Sequence, residues 1–250
     1  GHRTQSDGSV SVLGVDPVTG GRAFRDRIGI VLQQTGIESE LNVLEALELY
    51  ATAYSDPADP AEVLAMVGLE GQEDRRVRQL SGGQQRRIDL ALGIIGRPEV
   101  LFLDEPTTGF DPSARRKSWD LVSGLRGLGT TILLTTHYMD EAQHLADRVV
   151  VIVRGEIVAS GTPAELMDAT GDTVIRFVAP PDGLGDPSVD GVSVHGGVTT
   201  VRTTTPTATL HELTAWAVAR DIELHELTVD RPSLEDVYLG LAAEIEDGDA

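Results

Sequence analysis

Asp104 and Glu105 are adjacent carboxylates that close an apolar run, Val100-Leu101-Phe102-Leu103, with the length and composition of a buried strand. The C-terminal edge of such a strand is where open α/β sheets bind ligands. Two carboxylates there can divide the chemistry of phosphoanhydride cleavage: one holds magnesium, usually through water, and the other orients or deprotonates the attacking water. The same pair could instead cap the helix that follows. Earlier in the chain, Leu80-Ser81-Gly82-Gly83-Gln84 stands just before an apolar helix over residues 88–95. Small residues and backbone N–H groups therefore gather at a helix N-terminus, where a phosphate fits. A Ser-Gly-Gly turn is also an ordinary way to begin a helix. Three further polar residues stand at the ends of elements: Gln33 after an apolar run at 27–32, Asp111 closing the turn-rich Thr107-Thr108-Gly109-Phe110-Asp111, and His137 beyond Thr131–Thr135.

These residues need a scaffold, and the sequence outlines one. Residues 8–14 read as a turn into a short strand, and 27–32 as a second strand ending in Gln33-Gln34. Asn42 is placed as an N-cap with Glu45 at the capping-box position, and helices dominate from there to Ile95. Strands are predicted at 100–103, Thr131–Thr135 and Val149–Val153, with helices over 113–128 and 139–146 between them; that alternation indicates a parallel sheet with crossover helices. After Gly161-Thr162-Pro163 and a short helix, a separate unit begins at about Asp172. It reads strand, strand, strand, helix, strand, helix, with turns at Pro180-Pro181, Gly191 and Gly196-Gly197 and an apolar face over 210–218.

Taken in order, Gln33, the Leu80–Gln84 loop, the strand ending in Asp104, then Glu105, Asp111 and His137 resemble the motifs of ABC ATPases. The resemblance covers roughly residues 8–165. It identifies Gln33 as the Q-loop glutamine, Leu80-Ser81-Gly82-Gly83-Gln84 as the signature, the strand ending in Asp104 as Walker B, Glu105 as the catalytic glutamate, Asp111 as the D-loop aspartate and His137 as the H-loop histidine. It implies ATP and Mg2+ as cofactors. Gln33, Ser81, Gly82, Gly83, Gln84, Asp104 and Asp111 would bind nucleotide, Asp104 and Gln33 magnesium, and Glu105 and His137 would carry the catalysis, His137 by a hydrogen bond to a γ-phosphate oxygen. Phe110 departs from the leucine usual in the D-loop, a swap that bears on packing more than on chemistry. The implied fold is α/β: a P-loop NTPase-like ABC ATPase core, N-terminally incomplete, with an inserted α-helical subdomain, plus a small C-terminal α+β domain. The core would span 1–165, its helical subdomain about 38–95, and the accessory domain 172–250. Near the end, Arg231-Pro232-Ser233-Leu234-Glu235-Asp236-Val237-Tyr238-Leu239 is similar to the closing motif of drug-exporter ATPases of the daunorubicin-resistance type. Ser233 with Asp236 also makes a capping box, which stability alone would explain.

The family's phosphate-cradling loop, G-x-x-x-x-G-K-[ST], does not occur in the sequence. Lys117, the only lysine, follows the D-loop with no glycine frame before it. The chain is then either an N-terminally truncated ATPase or a natural short form that lends its signature loop to a partner's nucleotide; in both cases this polypeptide alone is expected to bind ATP poorly and to be inactive. A formal charge of −20 opposes a nucleic-acid partner. Cysteine is absent, which suits a reducing cytosol, and no apolar run approaches the roughly 18 residues of a membrane span. The resemblance therefore implies the nucleotide-binding subunit of an ABC transporter, a second ABC ATPase subunit in a homodimer or heterodimer, and an integral membrane permease holding it at the cytoplasmic face of the plasma membrane. Its task would be export of a hydrophobic substrate or drug, hence multidrug export and antibiotic resistance. Two alternatives stay open, a non-hydrolysing subunit and a soluble ABC ATPase without transport; the latter usually carries a tandem ATPase, a coiled-coil insertion or a basic arm.

Overall fold

The structure, a computed structural model, describes residues 5–33, 36–127, 129–169, 171–178 and 192–247. Gln34, Leu128, Pro180-Pro181 and Gly191, each given a place in the sequence reading, lie outside the described residues. The chain folds as two units, residues 1–137 and 138–250.

In the first unit a short helix α1 (Gly21–Arg25) leads into strand β1 (Ile28–Val31), followed by α2 (Val43–Ala51), α3 (Pro60–Met66), a 3-10 turn at Val77–Gln79 and α4 (Gly82–Ile94). Strand β2 (Val100–Asp104), helix α5 (Pro112–Gly127) and strand β3 (Thr131–Thr135) complete it. Asn42 caps α2 as expected, its side chain accepting the Glu45 N–H while Glu45 returns the bond to the Asn42 N–H. The three strands pair in parallel in the order β1-β2-β3, with Val31 opposite Leu103 and Asp104 opposite Thr135. That register brings the C-terminal ends of all three strands to one edge.

Helix α4 starts six residues before the apolar stretch that announces it, because the Ser81–Gln84 capping box satisfies the first turn despite two glycines. It lies unusually close to β1. A β-carbon on Gly29 would stand 2.1 Å from the Gly93 carbonyl oxygen, and one on Gly93 would stand 2.5 Å from a Val31 methyl. The interface admits no side chain at either point. Around it Leu47, Leu64, Ile88, Ile95, Leu101 and Leu103 are fully buried, each burial stabilising by roughly 1.5–3 kcal/mol.

Residues 8–14 do not become a strand. Leu13 and Gly14 both have positive φ, 52° and 76°, so the chain reverses and only an isolated Val12–Val15 bridge forms.

The second unit contains α6 (Met139–Leu145), β4 (Val149–Val153), β5 (Glu156–Gly161) and α7 (Pro163–Asp168), then β6 (Thr173–Val178), β7 (Val192–His195), β8 (Val198–Thr203), α8 (Pro206–Ala219), β9 (His225–Asp230) and α9 (Leu234–Asp247). The expected parallel placement of Val149–Val153 is corrected here: β4 pairs antiparallel with β5 in a two-stranded sheet. The cause is the two-residue turn Arg154-Gly155, both at positive φ (51° and 86°), which folds the chain straight back. From Thr173 onward the element order agrees with the sequence reading. The four strands form an antiparallel sheet in the order β7-β8-β6-β9, and α8 covers one face through Leu213, Trp216 and Ala217 against Ile175, Phe177 and Val201. Helix α9 turns away from that cluster: Leu234 is buried with Ala142, Val151 and Leu166, and Tyr238 and Leu241 pack beside them.

Candidate functional site

The parallel register delivers Asp104 and Glu105 to the C-terminal edge of β2, next to the end of β3. Thr135 Oγ1 donates to Asp104 Oδ1 at 2.5 Å, and the Glu105 N–H donates to the Thr135 carbonyl at 3.0 Å. Glu105 has φ +45°, a left-handed conformation that costs a residue with a β-carbon roughly 1–2 kcal/mol. Strain held at one carboxylate is a recurrent mark of a functional position. Its side chain gathers three partners, two of them from distant parts of the sequence. Gln33 Nε2 and Thr108 Oγ1 each donate to Oε2 at 3.0 Å, and His137 Nδ1 lies 3.3 Å from Oε1. Gln33, Glu105 and His137, identified separately along the chain, thus meet at one group.

Ser81 is the N-cap of α4: its hydroxyl accepts the Gln84 N–H at 3.3 Å, and Gln84 Oε1 accepts the Ser81 N–H at 3.0 Å. Ser81 and Gln84 therefore satisfy each other, while Gly82 and Gly83 occupy the first helical turn with open space where β-carbons would point. An open cleft of about 980 Å3 is lined by Gln33, Ser81, Gly82, Gly83, Glu105 and Asp111 among others. Asp104, His137 and Gln84 are not part of that lining. Asp111 has a structural duty as well, since its Oδ1 accepts the Ser113 and Ala114 N–H groups at 2.9 and 3.0 Å and so caps α5. The Ala114 N–H, aided by Ser113, holds its carboxyl below the usual carboxylate range.

Three residues in contact with these groups escaped the sequence reading. Thr135 and Thr108 orient the two carboxylates, and threonine at a strand end or in a turn carries no distinguishing signal. Arg86 is the third. Its Nε donates to the Pro106 carbonyl at 2.9 Å, one terminal nitrogen to the Leu32 and Gln33 carbonyls at 2.6 and 3.3 Å, and the other to those of Asp104 and Glu105 at 3.1 and 3.2 Å. The available signal was an arginine two residues after the signature and ahead of the buried face of Ile88 and Ala91.

The closing stretch 231–239 is held by Asp236. Its Oδ2 accepts the Ser233 N–H and hydroxyl at 2.8 and 2.7 Å, and the Asp236 N–H returns a bond to Ser233 Oγ, so the expected capping box is formed. Arg176 pairs with the same carboxylate, and Arg202 donates to the Asp236 carbonyl at 2.6 Å. Burial pushes this carboxyl up, but the Ser233 donors and the Arg176 guanidinium outweigh it and hold it below the usual range.

The model of the family described as "ABC transporter" matches residues 1–108, and that of "ABC transporter domain-containing protein-like, C-terminal domain" matches 173–233. The daunorubicin resistance ATP-binding protein DrrA3 of Streptomyces coeruleorubidus is 38% identical over 251 residues, covering 95% of this chain and 79% of its own length. The doxorubicin resistance ATP-binding protein DrrA of Mycobacterium tuberculosis is 34% identical over 95% of this chain and 77% of its own. The Nod factor export ATP-binding protein I of Neorhizobium galegae is 37% identical over 96% of this chain and 71% of its own. Among solved structures, an ATP-binding subunit of an ABC transporter superposes with a TM-score of 0.58 at 23% identity, over 66% of this chain and 71% of that one, a likeness of fold. A dimeric ATP-binding cassette in a post-hydrolysis state bound to ADP and Pi gives 0.55 at 26% identity, over 63% and 74%.

Proposed function

Since this chain belongs to the family of ABC transporter ATP-binding proteins, we propose that it couples ATP binding and hydrolysis to the export of a hydrophobic, drug-like substrate through a separate membrane subunit. Export, and the drug class, are supported by the names of its relatives. The observation that carries the hydrolytic part is the convergence of Gln33, Thr108 and His137 on the Glu105 carboxylate.

Glu105 acts as the general base. A carboxylate fixed by three neighbours and a strained backbone is held ready to take a proton from water, which contributes on the order of 10²- to 10⁴-fold to turnover. His137, beside Oε1, stabilises charge that develops on the transferred phosphoryl group. Asp104 and the Gln33 amide oxygen are hard donors of the kind magnesium takes, in the small number it uses when waters and phosphate oxygens fill the remaining positions; these residues fit the ion. Held by these residues, the ion would supply neutralisation of charge on the phosphate oxygens. Gly82 and Gly83 offer backbone N–H groups at the start of α4, and Ser81, Gln84 and Asp111 surround them, as a surface for the nucleotide of a second ABC subunit. A dimeric structural neighbour supports such pairing.

The ATPase domain is assigned to 1–165, with a helical subdomain at about 38–95, and the accessory domain to 172–250. The C-terminal family match over 173–233 supports the second start, although the fold groups residues 138–171 with the later unit. Among the described residues no helix is long and apolar enough to cross a membrane. The export and drug-resistance ATP-binding proteins among its relatives support a separate permease that holds the protein at the cytoplasmic face of the plasma membrane.

The test is Glu105→Gln in the full-length protein. ATP turnover falls by about 10²-fold or more if Glu105 is the base. Turnover equal to wild type removes the hydrolytic reading and leaves the non-hydrolysing subunit.

A further inference from the structure

We infer that Arg86 is a positioning residue that registers the Q-loop and the catalytic glutamate to the signature helix; the inference rests on the hydrolytic role of Glu105 and names a group that controls it. Arginine presents five N–H donors in a rigid planar fork and no acceptor. In Arg86 every one of the five has a backbone carbonyl within reach, from two chain segments far apart in sequence: Leu32 and Gln33 after β1, and Asp104, Glu105 and Pro106 at and just beyond the end of β2. Strand ends of this kind leave the ladder with carbonyls to satisfy, and a single guanidinium reaches all five here, the Glu105 carbonyl also accepting the Thr108 N–H at 3.3 Å.

Three features make this more than a surface staple. The Arg86 side chain is only 12% exposed and faces Asp89, equally buried, at 3.7 Å, so the charge is compensated on its own helix. Two of the five carbonyls belong to Gln33 and Glu105 themselves, whose side chains bond to each other at 3.0 Å. Arg86 therefore fixes both backbones from which that side-chain pair projects, and it helps hold the left-handed backbone at Glu105. Finally, Arg86 lies on α4 between Ser81 at its N-cap and Gly93, where the helix touches β1 without an intervening side chain. Displacement of the signature end of α4 pulls on Gln33 and Glu105 together, because the linkage runs through one rigid side chain.

Neighbouring Arg87 supplies the control. It sits on the same helix but donates to the Gly68 carbonyl, at 3.1 Å, remote from both carboxylates in the chain.

The experiment compares Arg86→Lys and Arg87→Lys in the full-length protein, measuring kcat and KM for ATP and the thermal midpoint. Lysine keeps the charge, but three donors on a flexible stem cannot span five carbonyls. Arg86→Lys should lower kcat by about tenfold to a hundredfold, the cost of misplacing a catalytic group by an ångström or less. KM should change by less than about twofold, because the interaction lost is one made in the transition state. Arg87→Lys should leave kcat at the wild-type value. If Arg86→Lys does not fold, Asp89→Asn takes its place, with a smaller fall in kcat at unchanged KM. Wild-type kcat in Arg86→Lys, or in Asp89→Asn where that is the variant read, overturns the assignment. So does a change confined to KM, or a kcat loss matched by Arg87→Lys. Glu105→Gln separates the two levels. If it keeps full turnover, the hydrolytic reading fails and the role of Arg86 falls with it; if it loses turnover while Arg86→Lys does not, only the role of Arg86 is overturned.

Discussion

Replacing Asp236 with alanine removes three attachments of α9 at once: the capping box with Ser233, the pairing with Arg176 and the approach of Arg202. Loss of the cap costs about 1 kcal/mol. Breaking a well-buried ion pair costs about 3–5 kcal/mol because a charge is stranded, but Arg176 and Arg202 remain about a third exposed and regain water, which reduces that part to about 1–3 kcal/mol. The second unit should therefore lose about 2–4 kcal/mol. Trp216, in the core of that unit, reports it by fluorescence in urea once Trp119, the other tryptophan, is changed to phenylalanine. Acid gives an independent check. The Asp236 carboxyl in the folded protein titrates below its ordinary 3.8, so its contribution is complete above that value and disappears as pH falls through the lowered one. Wild type should lose stability over that acid range, and Asp236→Asn should lack that component. A loss under about 0.5 kcal/mol for Asp236→Ala, or full additivity with Arg176→Met, would refute the view that residues 231–239 latch α9 to the sheet.

Two further outcomes follow from backbone geometry. Gly29→Ala sets a β-carbon against the Gly93 carbonyl oxygen, which cannot step aside without moving α4, and should cost about 1–3 kcal/mol in urea unfolding followed through Trp119. Glu105→Asn places a residue that tolerates the left-handed region at φ +45°, so the thermal midpoint should stay level or rise, by up to about 1 kcal/mol of stability, while turnover falls as in Glu105→Gln.

Motifs whose meaning is local were readable in the chain. The Asn42–Glu45 and Ser233–Asp236 capping boxes involve residues three apart and need no tertiary contact, and both form. The strand, strand, strand, helix, strand, helix order after Asp172 followed from turn residues and periodicity. The failures were also local in cause but non-local in effect: left-handed residues at Leu13-Gly14 and Arg154-Gly155 reversed the chain where an apolar run suggested continuation. One of these reversals moved Val149–Val153 from a parallel to an antiparallel pairing.

The sequence by itself determined which chemical groups are available and that they belong to an ABC ATPase: two carboxylates after an apolar strand, an amide, a histidine and a small-residue helix start, in one order. Only the tertiary structure decided that Gln33 and His137 converge on Glu105, and that Arg86 joins the chain after β1 to the chain after β2. The reason is physical. Residue type and spacing along the chain govern helix caps and strand runs, whereas hydrogen bonds between residues dozens of positions apart depend on sheet register and on how closely a helix with glycine at its contact can approach a strand.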